Sequence, residues 1–223
     1  MKSTIRKSTF KAIYRLLDRV SPVPYDCGTL CGCACCVPQD NDKDATGSDE
    51  DLGIYLLPGE EKIFTGEEDW ITWNYDNVDD YDFPDSWSGR IAFLSCNTPP
   101  VCNRKMRPLQ CRTYPVTPHL ISLSDSPDPN KEMLILILSD LEAPYMCPLI
   151  KENSNSNPQT KDKKYILDDR FLKATYTVWK RLIKDPKIYD LVKMDSEDRD
   201  FFIPVYPEAH PASGTHFCTV STS

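Results

Sequence analysis

Five cysteines within ten residues, Cys27, Cys31, Cys33, Cys35 and Cys36 in CGTLCGCACC, constrain this chain more than any other feature. Cysteines that serve as small core residues arrive singly, at the spacing of an apolar face. Here they arrive together, separated by Gly28, Gly32 and Ala34, which let a backbone close around something the sulfurs hold. Thiolates are soft donors, so an all-sulfur site favours zinc, cuprous copper or an iron–sulfur cluster over calcium or magnesium. Cys27, Cys31 and Cys35 are four apart each time. On a helix this spacing gives one stripe that drifts about 40° per step. The two glycines speak at least as much for a loop wrapped around the metal. Cys35 and Cys36 are adjacent, and neighbouring side chains diverge, so the pair suits two nearby sites or a polynuclear cluster.

A second segment, SCNTPPVCNRKMRPLQCRTYP at 95–115, adds Cys96, Cys102 and Cys111. Arg104, Lys105, Arg107 and Arg112 stand among them. Four thiolates on one divalent ion leave excess negative charge, and cations beside the sulfurs stabilise it and lower thiol pKa. Arg107 and Arg112 are therefore expected to support the ligands from outside. Cys147, at the end of a strand pair, completes the candidate ligand set of Cys27, Cys31, Cys35, Cys36, Cys96, Cys102, Cys111 and Cys147. Cys218, in a polar tail beside His216, is left out, and His119 and His210 are read as structural.

How thiols behave depends on compartment. Residues 1–20 mix Lys2, Arg6, Lys7, Lys11, Arg15 and Arg19 among their apolar positions, which breaks up any secretory signal core. Phe10, Ile13, Tyr14 and Leu17 fall on one face of a docking helix. The expectation is a reducing cytoplasm, where clustered thiols bind metal more often than they form disulfides. No run approaches the ~18 apolar residues of a membrane span. A formal charge of −8 argues against nucleic acid as a partner.

The pattern predicts an α+β fold: a small irregular metal-organised domain with short central strands and flanking N- and C-terminal helices. A helix over 1–20 leads into a cysteine domain over 21–150, with an acidic insertion at about 38–88. Strands are predicted at Trp70–Tyr75, Arg90–Leu94, Leu120–Leu123 and Met133–Leu138. A polar linker follows at 151–164, then helices over 165–206 that pack on the domain, then a flexible tail over 207–223. Asp168 or Asp169 and Asp185-Pro186 are the helix-start signals. The acidic segment, with Asp79, Asp80, Asp82 and Asp85 among Tyr75, Tyr81, Phe83 and Trp87, reads as a solvated loop. It leaves room for a protein partner with a basic face.

CGTLCGCACC, GIYLLPGEE at 53–61, CNRKMRPLQCRTYP and the later CPL at 147–149 together resemble the YkgJ-like cysteine-cluster family. Its marks are a CxxCxxCC-type cluster and an RPxxCRxYP motif. The second is matched by Arg107, Pro108, Cys111, Arg112, Tyr114 and Pro115, with agreement over roughly 25–150. The first differs in spacing, with three residues between Cys27 and Cys31 and an extra Cys33. The resemblance implies chelation of zinc or iron and implies no reaction. The sequence thus points to a cysteine-rich metal-binding protein holding a zinc ion or an iron–sulfur cluster. The alternative is an iron–sulfur-dependent enzyme or redox protein, but no catalytic activity is readable.

Overall fold

The computed structural model describes residues 1–25, 27–32, 53–97, 104–123, 131–139, 147–154 and 166–207. Helix α1, Lys7–Leu17, buries the stripe that its spacing predicts: Phe10, Ile13, Tyr14 and Leu17. A single turn, α2 (Gly28–Cys31), ends at Gly32, whose φ of 61° is left-handed. That conformation carries almost no penalty for glycine and stops a helix there.

Two three-stranded antiparallel sheets follow. The first comprises β1 (Gly53–Tyr55), β2 (Ile71–Asn77) and β3 (Arg90–Cys96), in the order β1-β3-β2. The central strand, β3, alternates strictly. Ile91 faces the main core, while Ala92 and Leu94 face a smaller cluster with Leu56, Phe64 and Ile71. The second sheet comprises β4 (Val116–Ser122), β5 (Glu132–Leu138) and β6 (Pro204–Tyr206), in that order. Its central strand β5 is buried from Leu134 to Leu138 without a break, which explains an apolar run with no alternation.

Between the sheets in sequence runs α3, Leu109–Thr113, and after β5 comes α4, Pro148–Ser154. Two longer helices close the described chain. Helix α5, Asp169–Leu182, is capped by the Asp168 carboxylate, and α6, Pro186–Glu197, by Asp185 with Pro186 in its first turn. Helix α6 lies against β4, and α5 packs against α1, β5 and β6. The main core joins both ends of the chain, with Phe10 of α1 beside Leu136, Phe171, Leu182 and Ile188.

The mixed α and β class and the terminal helices are as the sequence predicts. The organising centre among the described residues, however, is this apolar core. Three boundaries also differ. Strand β4 begins at Val116, four residues before the predicted start, because Pro118 sits on the outer edge, where no ladder N–H is needed. Helix α4 runs into the stretch read as linker. Within the acidic insertion the strand predicted at Trp70–Tyr75 is β2, which runs on to Asn77, and β1 at Gly53–Tyr55 is an unpredicted addition. Trp87, read with the acidic loop, is 3 % exposed and stacks on Phe83.

Candidate functional site

Five of the cysteines fall on described residues, and each arrives by a different element. Cys27 is the residue before α2, half-buried and packed with Leu30 against the main core. Cys31 is the last residue of α2. Cys96 closes β3 opposite Ile71 and is half-buried. Cys111 is exposed at the middle of α3. Cys147 is 7 % exposed within the main apolar core, just before α4. Cys33, Cys35, Cys36, Cys102 and Cys218 lie outside the described residues.

Cys27 and Cys147 therefore share one apolar core, whereas Cys96 stands at the end of the first sheet, beside the smaller cluster. Among the described residues no group of three or more His, Cys, Asp or Glu is gathered so as to hold a metal ion. Half-buried Cys27 and exposed Cys111 have the donor chemistry that zinc or an iron–sulfur cluster needs.

The turn that carries Cys111 is fastened with unusual thoroughness. Arg112, its neighbour, has a side chain only 5 % exposed and pairs with Asp18 at 2.6 Å. Its Nε donates to the Arg107 carbonyl at 2.7 Å, and its other terminal nitrogen donates to the Lys105 carbonyl. The guanidinium carbon lies 4.2 Å from the centre of the Tyr14 ring, a cation–π contact. Arg112 thus clips the 105–107 loop onto α1, and its charge is committed to Asp18.

The other fastening is Glu60, which lies in the GIYLLPGEE segment but has no role of its own predicted there. It is fully buried. Its carboxylate accepts from the Tyr14 hydroxyl at 2.5 Å, the Leu109 N–H at 2.7 Å and the Leu57 N–H at 3.1 Å. Leu109 is the first residue of α3, so a carboxylate 49 residues away caps the helix that carries Cys111. Burial pushes the Glu60 carboxyl above its ordinary range, against the pull of its three donors and of Arg112. Burial, and then the Glu60 charge, also push the Tyr14 phenol upward, and Cys111 contributes in the same direction. Glu60 follows Gly59, whose φ is 89° and where an added Cβ would come within 2.8 Å of Ser3. The cue to Glu60 in the sequence is faint, one of two adjacent acids between the apolar pairs of LLPGEEKIF.

His119 has the structural place expected of it: 3 % exposed, its ring 4.1 Å from that of Phe202. No helix among the described residues is long and apolar enough to cross a membrane. Comparison with protein-family models, curated proteins and solved structures finds no match.

Proposed function

We propose that the chain is a cysteine-rich metal-binding protein of the YkgJ-like cysteine-cluster type. Thiolates from 27–36 and 96–147 would hold a zinc ion or an iron–sulfur cluster in a reducing compartment. The observation that carries this reading is the sequence CGTLCGCACC, set against a second cysteine segment in which Arg104, Lys105, Arg107 and Arg112 follow Cys102 and flank Cys111. Two structural features support it. The Cys111 turn is anchored at both ends, by Glu60 at Leu109 and by Arg112 at Asp18, so a ligand there starts from a fixed position. Cys27 is held against the core at the start of the cluster.

With many thiolates and no convincing His or carboxylate partner, the site reads as closed and structural, and no reaction is assigned to it. Protein purified without air decides the metal. Brown protein absorbing at about 400 nm means iron–sulfur, and colourless protein containing zinc by elemental analysis means a zinc site. Cys31→Ser and Cys111→Ser should each lower bound metal and stability, because structural metal binding is coupled to folding. Cys218→Ser should leave metal content unchanged. Unchanged metal in both of the first two removes them from the ligand set.

A further inference from the structure

The two sheets have four edge strands, and three are closed off. Strand β1 is three residues long, and its Tyr55 carbonyl accepts from Gln110 at 3.0 Å. Strand β4 carries Pro118, and its outward Leu120 N–H donates to Ser196 of α6 at 2.9 Å. Strand β6 is again three residues long. Edge strands left open invite pairing with another chain, so such closure is usual.

Strand β2 is the exception. It spans seven residues, and among the described residues all of its strand partners lie in β3. The ladder bonds from Asn97 to Trp70 and from Val78 to Gly89 fix the alternation. Thr72, Asn74 and Asp76 turn their backbone groups to β3, so those of Ile71, Trp73, Tyr75 and Asn77 face away. Among the described residues, the Tyr75 carbonyl alone of these outward groups is used, by the Arg90 side chain. Tyr75 is 49 % exposed and stacks on Trp73. The flanking charge is mostly of one sign, with Arg90 as the cation on the edge itself. From Ile63 to Gly89 there are eight carboxylates and no Lys or Arg. None of the eight is ion-paired among the described residues. Glu68 is turned back on Thr65 and Gly66, and Asp76 accepts from Tyr81.

We infer that the outer edge of β2 is a docking site for an extended, Lys/Arg-rich segment of a partner protein, which adds to the first sheet as a fourth strand. Backbone pairing along Ile71–Asn77 supplies the binding, and the acids at both ends of the strand select a basic occupant. The inference is independent of the metal reading, since no cysteine takes part in the outward edge.

The test uses the full chain and fluorescein-labelled peptides of alternating Lys and Val, read by fluorescence anisotropy. Three comparisons matter: a Glu–Val counterpart, the Lys–Val peptide N-methylated at alternate residues, and the variant Asn77→Pro. Asn77 has φ −74° and an outward N–H, so proline fits there and removes one edge donor while leaving the β3 ladder whole. The Lys–Val peptide should bind, roughly tenfold more weakly in about 0.5 M than in about 0.05 M salt. Asn77→Pro should weaken it by roughly fivefold, the worth of one hydrogen bond. The Glu–Val and N-methylated peptides should not bind. Equal binding of the N-methylated peptide would reduce the effect to bulk charge attraction and overturn strand addition. Equal binding of the Glu–Val peptide would overturn the selectivity. If the Lys–Val peptide fails to bind, the whole inference falls, and the acids are guards against edge pairing.

Discussion

At the scale of single residues, two buried titratable groups do opposite things. Glu60 gathers three donors from three separate segments, so replacing it tests the junction of α1, the Leu57 turn and α3. Glu60→Gln turns an amide N–H₂ toward groups that are themselves donors. It should lower stability by about 1–3 kcal/mol in urea titration, the cost of leaving a buried polar group unmatched. Tyr14→Phe should cost less, since it removes a donor and leaves the other two satisfied. His119 is the reverse case, a base held neutral. Burial, with Arg199 adding to it, brings its pKa down to about 4 from the ordinary 6.5. The unfolded chain therefore takes up a proton as pH falls below 6.5, before the native state can. Stability from this group is present at neutral pH and should fall on the order of 2 kcal/mol between pH 7 and about pH 5. A His119→Gln variant should show a flatter profile over that window, measured by denaturant midpoint. An unchanged slope would assign the acid sensitivity elsewhere.

At the scale of elements, the two C-terminal caps make a controlled comparison. Asp168 accepts only from Arg170 and Phe171, next door in sequence. Asp185 caps α6 through Lys187 and also accepts from the Ser3 hydroxyl and from both the N–H and hydroxyl of Thr4. Burial would raise the Asp185 carboxyl, yet these bonds hold it below the usual carboxylate value. Asp168→Ala should cost about 1 kcal/mol, an ordinary cap. Asp185→Ala should cost clearly more, and its excess should vanish in a chain lacking residues 1–4, as thermal melts of the four proteins would show. Both caps were legible, because an Asp before a periodic apolar run is a local signal. So were the α1 stripe and the buried face of α5, Phe171, Thr175, Val178, Trp179 and Leu182. Strand β6 was not, since three residues, Pro204–Tyr206, have no period of their own and pair only because β5 offers an edge. Glu60 was hidden for the same kind of reason, its partners lying 46 and 49 residues away. In the candidate site the cysteine spacing was legible. What sequence could not give was that Cys147 lies in the main apolar core while Cys96 ends the central strand of the first sheet.

At the scale of the whole molecule, the core that joins α1, β5, α5 and α6 is built of apolar side chains, with Cys147 at its margin. Stripping metal with a chelator should accordingly raise amide exchange around α2 and α3, while β5, α5 and α6 keep their protection. Global loss of protection would instead make the metal the keystone of the fold. The core has a further property: within it, residues 5–23 meet α5 and α6 from far along the chain. Pro22 accepts from Asp168 at 2.8 Å, and Ser3 and Thr4 meet Asp185. During synthesis the oily side of α1 precedes α5 by some 150 residues, so the two can close on each other only once that stretch has emerged. Until then that side of α1 lacks its last cover, which makes it the place where a holding chaperone would act.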